Sequence, residues 1–463
     1  MKKTRIGEIV KAIKGQLVLG GDQGYIEKIF IDSRLVESDS LFFALIGEKQ
    51  DAHRFTEQVM DKGCKCMVVS DLSQIDEKKA KEKGVSMILV ENTTKALQLL
   101  ATWYLKTFSI SKIGVTGSTG KTTTKEMLYY ILKEKYKVGR NLGNFNNDIG
   151  VPLSIFALEP DIEVGVFEMG MSAFGEIDRL ANMVRPDIGI ITNIGTSHIE
   201  NLGSREGILK AKLEMTNYFT PNEILCINTD NELLSKENCE GNYKLVRTGT
   251  TGRNEFIISN IMDFGERGIE FSVEHKEEIQ AFKLLVPGRH NAFNAALAIG
   301  AAYQLGVTMA EAAAGLLKLE LTDKRLSIKG KNGMKIIDDT YNASPDSMKS
   351  ALDVLATTRG VRKIAILGDM LEMGVDSAAY HREIGVYAAH MKVDKLICIG
   401  KESKNMVAGA LKTMKKEDVI YGEKKEKVYK QILDMAVMGD VILVKGSRGM
   451  AMDEIVKKIM EKE

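Results

Sequence analysis

The chain has 463 residues, 44% hydrophobic and 27% charged, which is apolar mass for about three globular cores and excludes long intrinsic disorder. With 64 Lys and Arg against 63 Asp and Glu, a net charge of +1 gives no general electrostatic reason to bind nucleic acid or an anionic membrane. Five scattered cysteines argue against a disulfide framework. There is no signal-peptide core and no run of about 18 apolar residues to span a bilayer, so a soluble, cytoplasmic protein is expected.

Residues 1–107 read as a small α/β domain. Its strands are the apolar runs 41–45 and 87–90, and its last helix spans 93–107 with Ala96, Leu99, Leu100, Trp103 and Tyr104 on one side. Cys64-Lys65-Cys66 has no second Cys/His pair at zinc spacing and reads as the edge of a strand at 67–69. Residues 108–325 read as a central domain built on a mostly parallel sheet with helices on both faces. Its strands are 112–115, 164–167 and 188–191, a helix spans 205–218, and the alanine-rich stretch 291–305 is a closely packed helix. Residues 326–463 read as a third, Rossmann-like α/β domain with strands at 335–337, 363–367, 395–399 and 441–444.

The strongest local signal is Thr116-Gly117-Ser118-Thr119-Gly120-Lys121-Thr122-Thr123, set between a strand and a helix. Glycines there let successive N–H groups face a phosphate at the positive end of the helix. Lys121 would reach the β/γ-phosphates and the Thr122 hydroxyl would ligate Mg²⁺. The strict pattern places Gly five residues before Gly120, where Val115 stands, yet a plain Gly-rich turn would not explain a Lys-Thr pair opening a helix.

Other residues carry two readings each. Glu168 ends an apolar strand and is either a Mg²⁺ ligand or a turn acid. His198 lies in a Gly/Thr/Ser-rich loop, where a lone imidazole is usually a satisfied residue. Lys212, with Lys210 nearby, reads as a solvated helix charge. Asn291 opens the alanine-rich helix, where its amide suits a base edge or a cap. The cluster Asn144, Asn146 and Asn147 suits a loop of capping turns. Lys445 and Arg448 follow a strand, a placement suited to holding a carboxylate.

Residues 116–125 resemble the ATP loop of the Mur ligases, which attach amino acids to the peptidoglycan precursor. Further segments resemble that family in one order along the chain: Asp32-Ser33-Arg34, 41–47, Asn144-Phe145-Asn146-Asn147-Asp148 with 149–152, Glu168-Met169-Gly170-Met171, and Asn193-Ile194-Gly195-Thr196-Ser197-His198. The series ends with Asp339-Thr340-Tyr341-Asn342 and its continuation to Asp346, Leu367-Gly368-Asp369-Met370, and Lys445-Gly446-Ser447-Arg448. They look most like the members that join D-alanyl-D-alanine to UDP-N-acetylmuramoyl-tripeptide through an acyl phosphate. The resemblance implies ATP, two Mg²⁺ ions held with Glu168 and His198, and a Lys212 carbamylated by CO₂ into a metal ligand. By the same resemblance Asn291 lies near adenine, and Arg325 and Asp339 contact phosphate and ribose. It implies that Ser33, Arg34, Ala44 and Gly47 hold the UDP end, that the asparagine cluster meets the muramoyl-peptide, and that residues 326–463 close over the nucleotide. The absence of a coiled-coil repeat points to a monomer. Rival readings are a Mur-type or folylpolyglutamate-type ligase adding a single amino acid, and an ATP-gated binding protein with no catalysis.

Overall fold

The computed structural model describes residues 1–320 and 324–462. The chain forms two compact units, one of Met1–Gly114, Tyr136–Met171 and Glu176–Asp187, the other of Val115–Lys135, Ser172–Gly175 and Ile188–Glu463. Among the described residues no helix is long and apolar enough to cross a membrane.

In the first unit a five-stranded sheet runs Gln16–Leu19, Ser86–Leu89, Cys66–Val69, Ser40–Phe43, Lys28–Phe30. Only Gln16–Leu19 is antiparallel to its neighbour. Ser40–Phe43 and Cys66–Val69 are buried at every residue, which is why they read as unbroken apolar runs rather than alternations. Cys64 and Cys66 are both buried free thiols, and burial pushes Cys64 up to about 11, far from metal-binding thiolate. Helix Thr93–Leu105 is capped by Asn92, whose side chain accepts from the Lys95 N–H. It buries Ala96, Leu97, Leu100, Ala101 and Tyr104. The sequence-expected stripe is thus rotated by a fraction of a turn, and Leu99 and Trp103 stand half-buried on its flank.

In the second unit Ile188–Ile191, Ile224–Asn228 and Lys244–Gly249 pair in parallel. The sheet then continues through Phe256–Asp263 into two antiparallel hairpins with Ile269–His275 and Glu278–Leu284. Those hairpins, absent from the sequence reading, alternate buried and open positions (Ile269, Phe271 and Val273 inward), the pattern of a sheet with one wet face. The alanine-rich helix His290–Gln304 is buried along nearly its whole length and packs against helix Lys121–Leu132. Its small side chains permit that close approach.

A six-stranded sheet completes this unit in the order Ser327–Lys331, Met334–Asp339, Asp440–Lys445, Arg362–Gly368, Lys395–Ile399, Val419–Gly422. All neighbours are parallel except the first pair. One apolar cluster lies around Leu352, Leu367, Leu396 and Leu443, another around Ile336, Ile364, Ile442 and Ile455. Alternate strand residues feed the two clusters, as covered parallel strands require. The register sets Asp339 beside Lys445 at the carboxyl ends of the strands, the edge where open α/β sheets place ligands.

Candidate functional site

In the second unit the phosphate loop is gripped by the turn that follows Ile188–Ile191. Ser118 N–H donates to the Asn193 carbonyl at 3.0 Å, and Thr119 N–H to Asn193 Oδ1 at 2.8 Å. Asn193 Nδ2 returns a bond to Thr119 Oγ1 at 2.8 Å, and the Thr192 hydroxyl donates to the Thr119 carbonyl at 2.5 Å. Gly195 N–H donates to Ser118 Oγ at 2.9 Å. Gly120, at φ +77°, opens helix Lys121–Leu132, and a Cβ on it would stand 2.5 Å from Asn294 Oδ1. At Gly117 a Cβ would overlap Thr192 Oγ1. A Gly117→Ala substitution is therefore expected to cost about 2 kcal/mol and to weaken nucleotide binding, measurable by heat unfolding with and without ADP.

Lys121 Nζ donates to the Gly117 carbonyl at 2.7 Å, so its ammonium lies over the loop. Thr122 is buried in the first helical turn, with Thr123 half-buried beside it. The hydroxyls of Thr116 and Thr196 are buried without a hydrogen-bond partner, leaving polar valences in the loop and the adjoining turn.

His198 follows that turn at φ +62°, with Nδ1 2.5 Å from Glu372 Oε2. Burial lowers its pKa against the opposing pull of Glu372. Lys212 lies on helix Arg205–Leu213, only 2% exposed. Burial, with the positive charge of Lys121 second, drives its pKa well below the ordinary lysine value. The solvated-charge reading of Lys212 fails for that reason. The helix is shorter than the sequence reading of 205–218, because Glu214–Thr216 tightens into a 3₁₀ turn where Glu214 accepts from the Gly175 N–H at 2.8 Å. Arg205 Nη2 and Asn231 Nδ2 both donate to the Ile194 carbonyl, at 2.7 and 3.0 Å, and pin the helix to the loop.

Behind the loop, Asn291 donates from Nδ2 to the Pro287 carbonyl at 2.8 Å and accepts at 3.1 Å from Asn294, the residue that abuts Gly120. One amide hydrogen and one lone pair remain for a base. Its neighbour His290 is held at about 4, chiefly by burial. Asp339 receives Lys445 Nζ at 2.5 Å, and that ammonium also donates to the Asn342 carbonyl at 2.8 Å. The Arg325 guanidinium lies 4.0 Å from the Tyr341 ring centroid, with Arg448 at 5.9 Å. Arg325, Asp339, Lys445 and Arg448 thus share one corner.

In the first unit Glu168 ends strand Val164–Glu168, 1% exposed. Asn141 accepts the Glu168 N–H at 2.9 Å and donates to its carbonyl at 3.0 Å, while Asn146 Nδ2 donates to Oε1 at 2.7 Å. Asn147 Oδ1 accepts from Gly150 N–H at 2.8 Å and caps helix Gly150–Phe156. The Asn144 carbonyl accepts from the Asn146 N–H at 2.8 Å. Arg34 pairs with Asp32, whose carboxyl falls to about 2. Buried Ser33 and exposed Arg34 present their carbonyls to Lys62 Nζ at 2.9 and 2.7 Å. Ala44 is buried, and Gly47 N–H donates to the Gln50 carbonyl at 2.9 Å. Asn141, Thr192, Lys62 and Glu372 escaped the sequence reading. Asn193 lies in the Asn193–His198 segment, whose resemblance gave it no role.

Mg²⁺ takes one or two protein ligands and fills its shell with phosphate oxygens and water. Among the described residues no three His, Cys, Asp or Glu side chains form a metal cage, and the sparser set of Thr122 and His198 suits a phosphate-bound ion.

Three family models match the chain: "Mur ligase family, catalytic domain" at residues 25–104, "Mur ligase middle domain" at 115–302, and "Mur ligase, glutamate ligase domain" at 324–448. The chain is 39% identical to UDP-N-acetylmuramoyl-tripeptide--D-alanyl-D-alanine ligase of Bacillus subtilis (strain 168), over 100% of this chain and 99% of that one. It is similar to the crystal structure of MurF from Acinetobacter baumannii, with TM-score 0.91, 28% identity and full coverage of both chains. A MurF ligase from Thermotoga maritima in complex with ADP matches with TM-score 0.82 and 26% identity over 94% of this chain and 97% of that one. With its phosphate loop and α/β fold, the chain belongs to the Mur ligase family.

Proposed function

We propose that this chain is an ATP-dependent amide ligase joining D-alanyl-D-alanine to UDP-N-acetylmuramoyl-tripeptide, acting in the cytoplasm as a monomer. The observation that carries this reading is the end-to-end likeness to the B. subtilis ligase of that name. The ADP complex of the T. maritima relative supports a nucleotide on the phosphate loop. In this reading residues 1–107 hold the UDP end through Ser33, Arg34, Ala44 and Gly47. Residues 108–325 carry ATP and the chemistry, and 326–463 complete the nucleotide site with Asp339.

A carboxylate oxygen of the tripeptide attacks the γ-phosphorus and ADP leaves, giving an acyl phosphate. The D-alanyl-D-alanine nitrogen then attacks the carbonyl carbon, and inorganic phosphate leaves with the peptide bond formed. The barrier to the first step is repulsion between carboxylate and triphosphate, and Lys121 offsets it at the oxygens where charge accumulates. The loop glycines let backbone N–H groups approach the phosphates, and the Thr192–Asn193 grip holds that shape in advance. Mg²⁺, two ions in this reading, would supply Lewis-acid stabilisation, with Thr122 and His198 as the ligands the second unit offers. Burial lowers the Lys212 pKa and so favours the neutral amine, the form that adds CO₂, and its carbamate would be an anionic ligand. Asn291 faces adenine, Arg325 a phosphate, and Asn144, Asn146 and Asn147 flank the muramoyl-peptide.

The test is ADP release with Mg²⁺-ATP and UDP-N-acetylmuramoyl-tripeptide, with and without D-alanyl-D-alanine, alongside product mass. Release is expected to need both acceptors, with the mass rising by one dipeptide less one water. Release driven by a single amino acid or a folate would overturn the substrate and keep the chemistry. ATP binding with no acceptor-dependent release would overturn both.

A further inference from the structure

The segment that follows strand Arg362–Gly368 is anchored on both sides of one unusual residue. Ahead of it, Asp369 accepts from the Ser403 N–H at 2.8 Å and the Ser403 hydroxyl at 2.6 Å, and Met370 N–H donates to His381 Nε2 at 3.0 Å. Leu371 N–H donates to Ser447 Oγ at 2.9 Å, and Met373 is buried just beyond. Between these anchors Glu372 takes φ +62°, a left-handed backbone that a non-glycine residue adopts at a cost. Its partner His198 has the same φ, so two strained residues face each other across the 2.5 Å contact of Oε2 with Nδ1. The main chains also meet there. The Glu200 N–H reaches the Glu372 carbonyl at 3.4 Å, and a Cβ on Gly374 would stand 3.4 Å from Glu200 Cα.

We infer that Glu372 is a positioning residue for His198, its carboxylate fixing the imbalance between the two ring nitrogens so that Nε2 carries the lone pair for a metal ion. In the structure Nδ1 is buried and makes the close ion-pair contact with Oε2 without an aligned hydrogen bond; a small turn of the ring lets the carboxylate accept the Nδ1–H, which selects the tautomer and sets the ring plane, the service that outer carboxylates perform for ligating imidazoles. The inference rests on the reading of His198 as a metal ligand. Glu372 comes from residues 326–463 and His198 from the central segment, so metal affinity is tied to the docking of this anchored segment. A half-exposed glutamate contributes little to folding through such a pair, which separates its positioning role from stability.

The test uses the full chain with ADP and Mn²⁺ as the probe, free Mn²⁺ being read by its electron paramagnetic resonance signal. Glu372→Ala is expected to weaken Mn²⁺ binding about tenfold or more, and Glu372→Gln, which keeps an acceptor oxygen, to recover most of that loss. In a His198→Ala background, Glu372→Ala should add nothing, because its effect passes through the imidazole. Binding by Glu372→Ala within about twofold of the parent, while His198→Ala binds weakly, overturns the positioning role and keeps the ligand reading. Unchanged binding in His198→Ala overturns both. Equal losses in the alanine and glutamine variants overturn the inference as well, since the acceptor oxygen would then not be the cause.

Discussion

Replacing Lys121 by alanine is expected to lower turnover by about a thousandfold while the protein stays folded. The reason is the division of its two tasks. In the structure the Lys121 ammonium donates to the Gly117 carbonyl, a half-buried bond whose loss costs about 1 kcal/mol. The loop keeps its shape without it, because Thr192 and Asn193 hold Ser118 and Thr119 independently. Catalysis has no such substitute, since the ammonium alone can follow charge onto the phosphates as the carboxylate arrives. Arginine should not restore activity, because its planar fork cannot act as the compact point charge this loop encloses. Steady-state ADP release and a heat-unfolding curve measured together decide the matter. Activity within tenfold of the parent would mean that Lys121 does not meet the transferring phosphoryl group.

The second large effect is expected at Lys212. A Lys212→Met variant keeps the volume and removes the amine, and its activity should fall at least about a hundredfold. Full activity that added bicarbonate leaves unchanged would rule out the carbamate. Stability should move the other way. Burial depresses the Lys212 pKa and favours the neutral amine in the folded state, whereas the unfolded chain binds a proton until about pH 10.4. Its contribution to stability is therefore present above the unfolded pKa and is lost as pH falls towards the folded one. Within that window the slope is up to about 1.4 kcal/mol per pH unit. Urea unfolding in CO₂-depleted buffer should show the parent gaining stability from pH 7.5 to 9 relative to Lys212→Met. Parallel pH profiles would mean that the amine is charged in the folded protein.

The strand–loop–helix around residues 111–132 was legible because each local signal agreed: an apolar run, glycines where the backbone must turn, then Lys-Thr opening a helix. The buried parallel strands were legible for the same reason. The antiparallel hairpins at Phe256–Leu284 were passed over, although Ile269, Phe271 and Val273 alternate with polar residues. Strands with one wet face carry no long apolar run, so they stand out less than the fully buried parallel strands of the same chain. In the candidate site, placements set by local sequence were legible, and Lys121 and Thr122 open the helix where the loop pattern puts them. Surroundings that depend on tertiary partners were not legible from local sequence, even where the resemblance named the residue, as it did Lys212. Lys212 looks like any helix lysine until burial strips its solvent, and Glu372 looks like a loop acid until His198 comes opposite it. Asn141 is a single amide at the end of a short strand, and nothing in its neighbours announces that it will grip Glu168 at both backbone atoms.

That grip has an architectural consequence. The parallel pairing of Val138–Arg140 with its neighbour ends at Val166, two residues before Glu168. Ordinarily the last residue of a strand is steadied by more strand beside it, and the added main chain walls off the rim. Here one amide side chain supplies the donor and acceptor that a further stretch of ladder would have supplied. The sheet can stop early and still hold the main chain of its final residue in place, which leaves Asn146 to fix the buried carboxylate through Oε1.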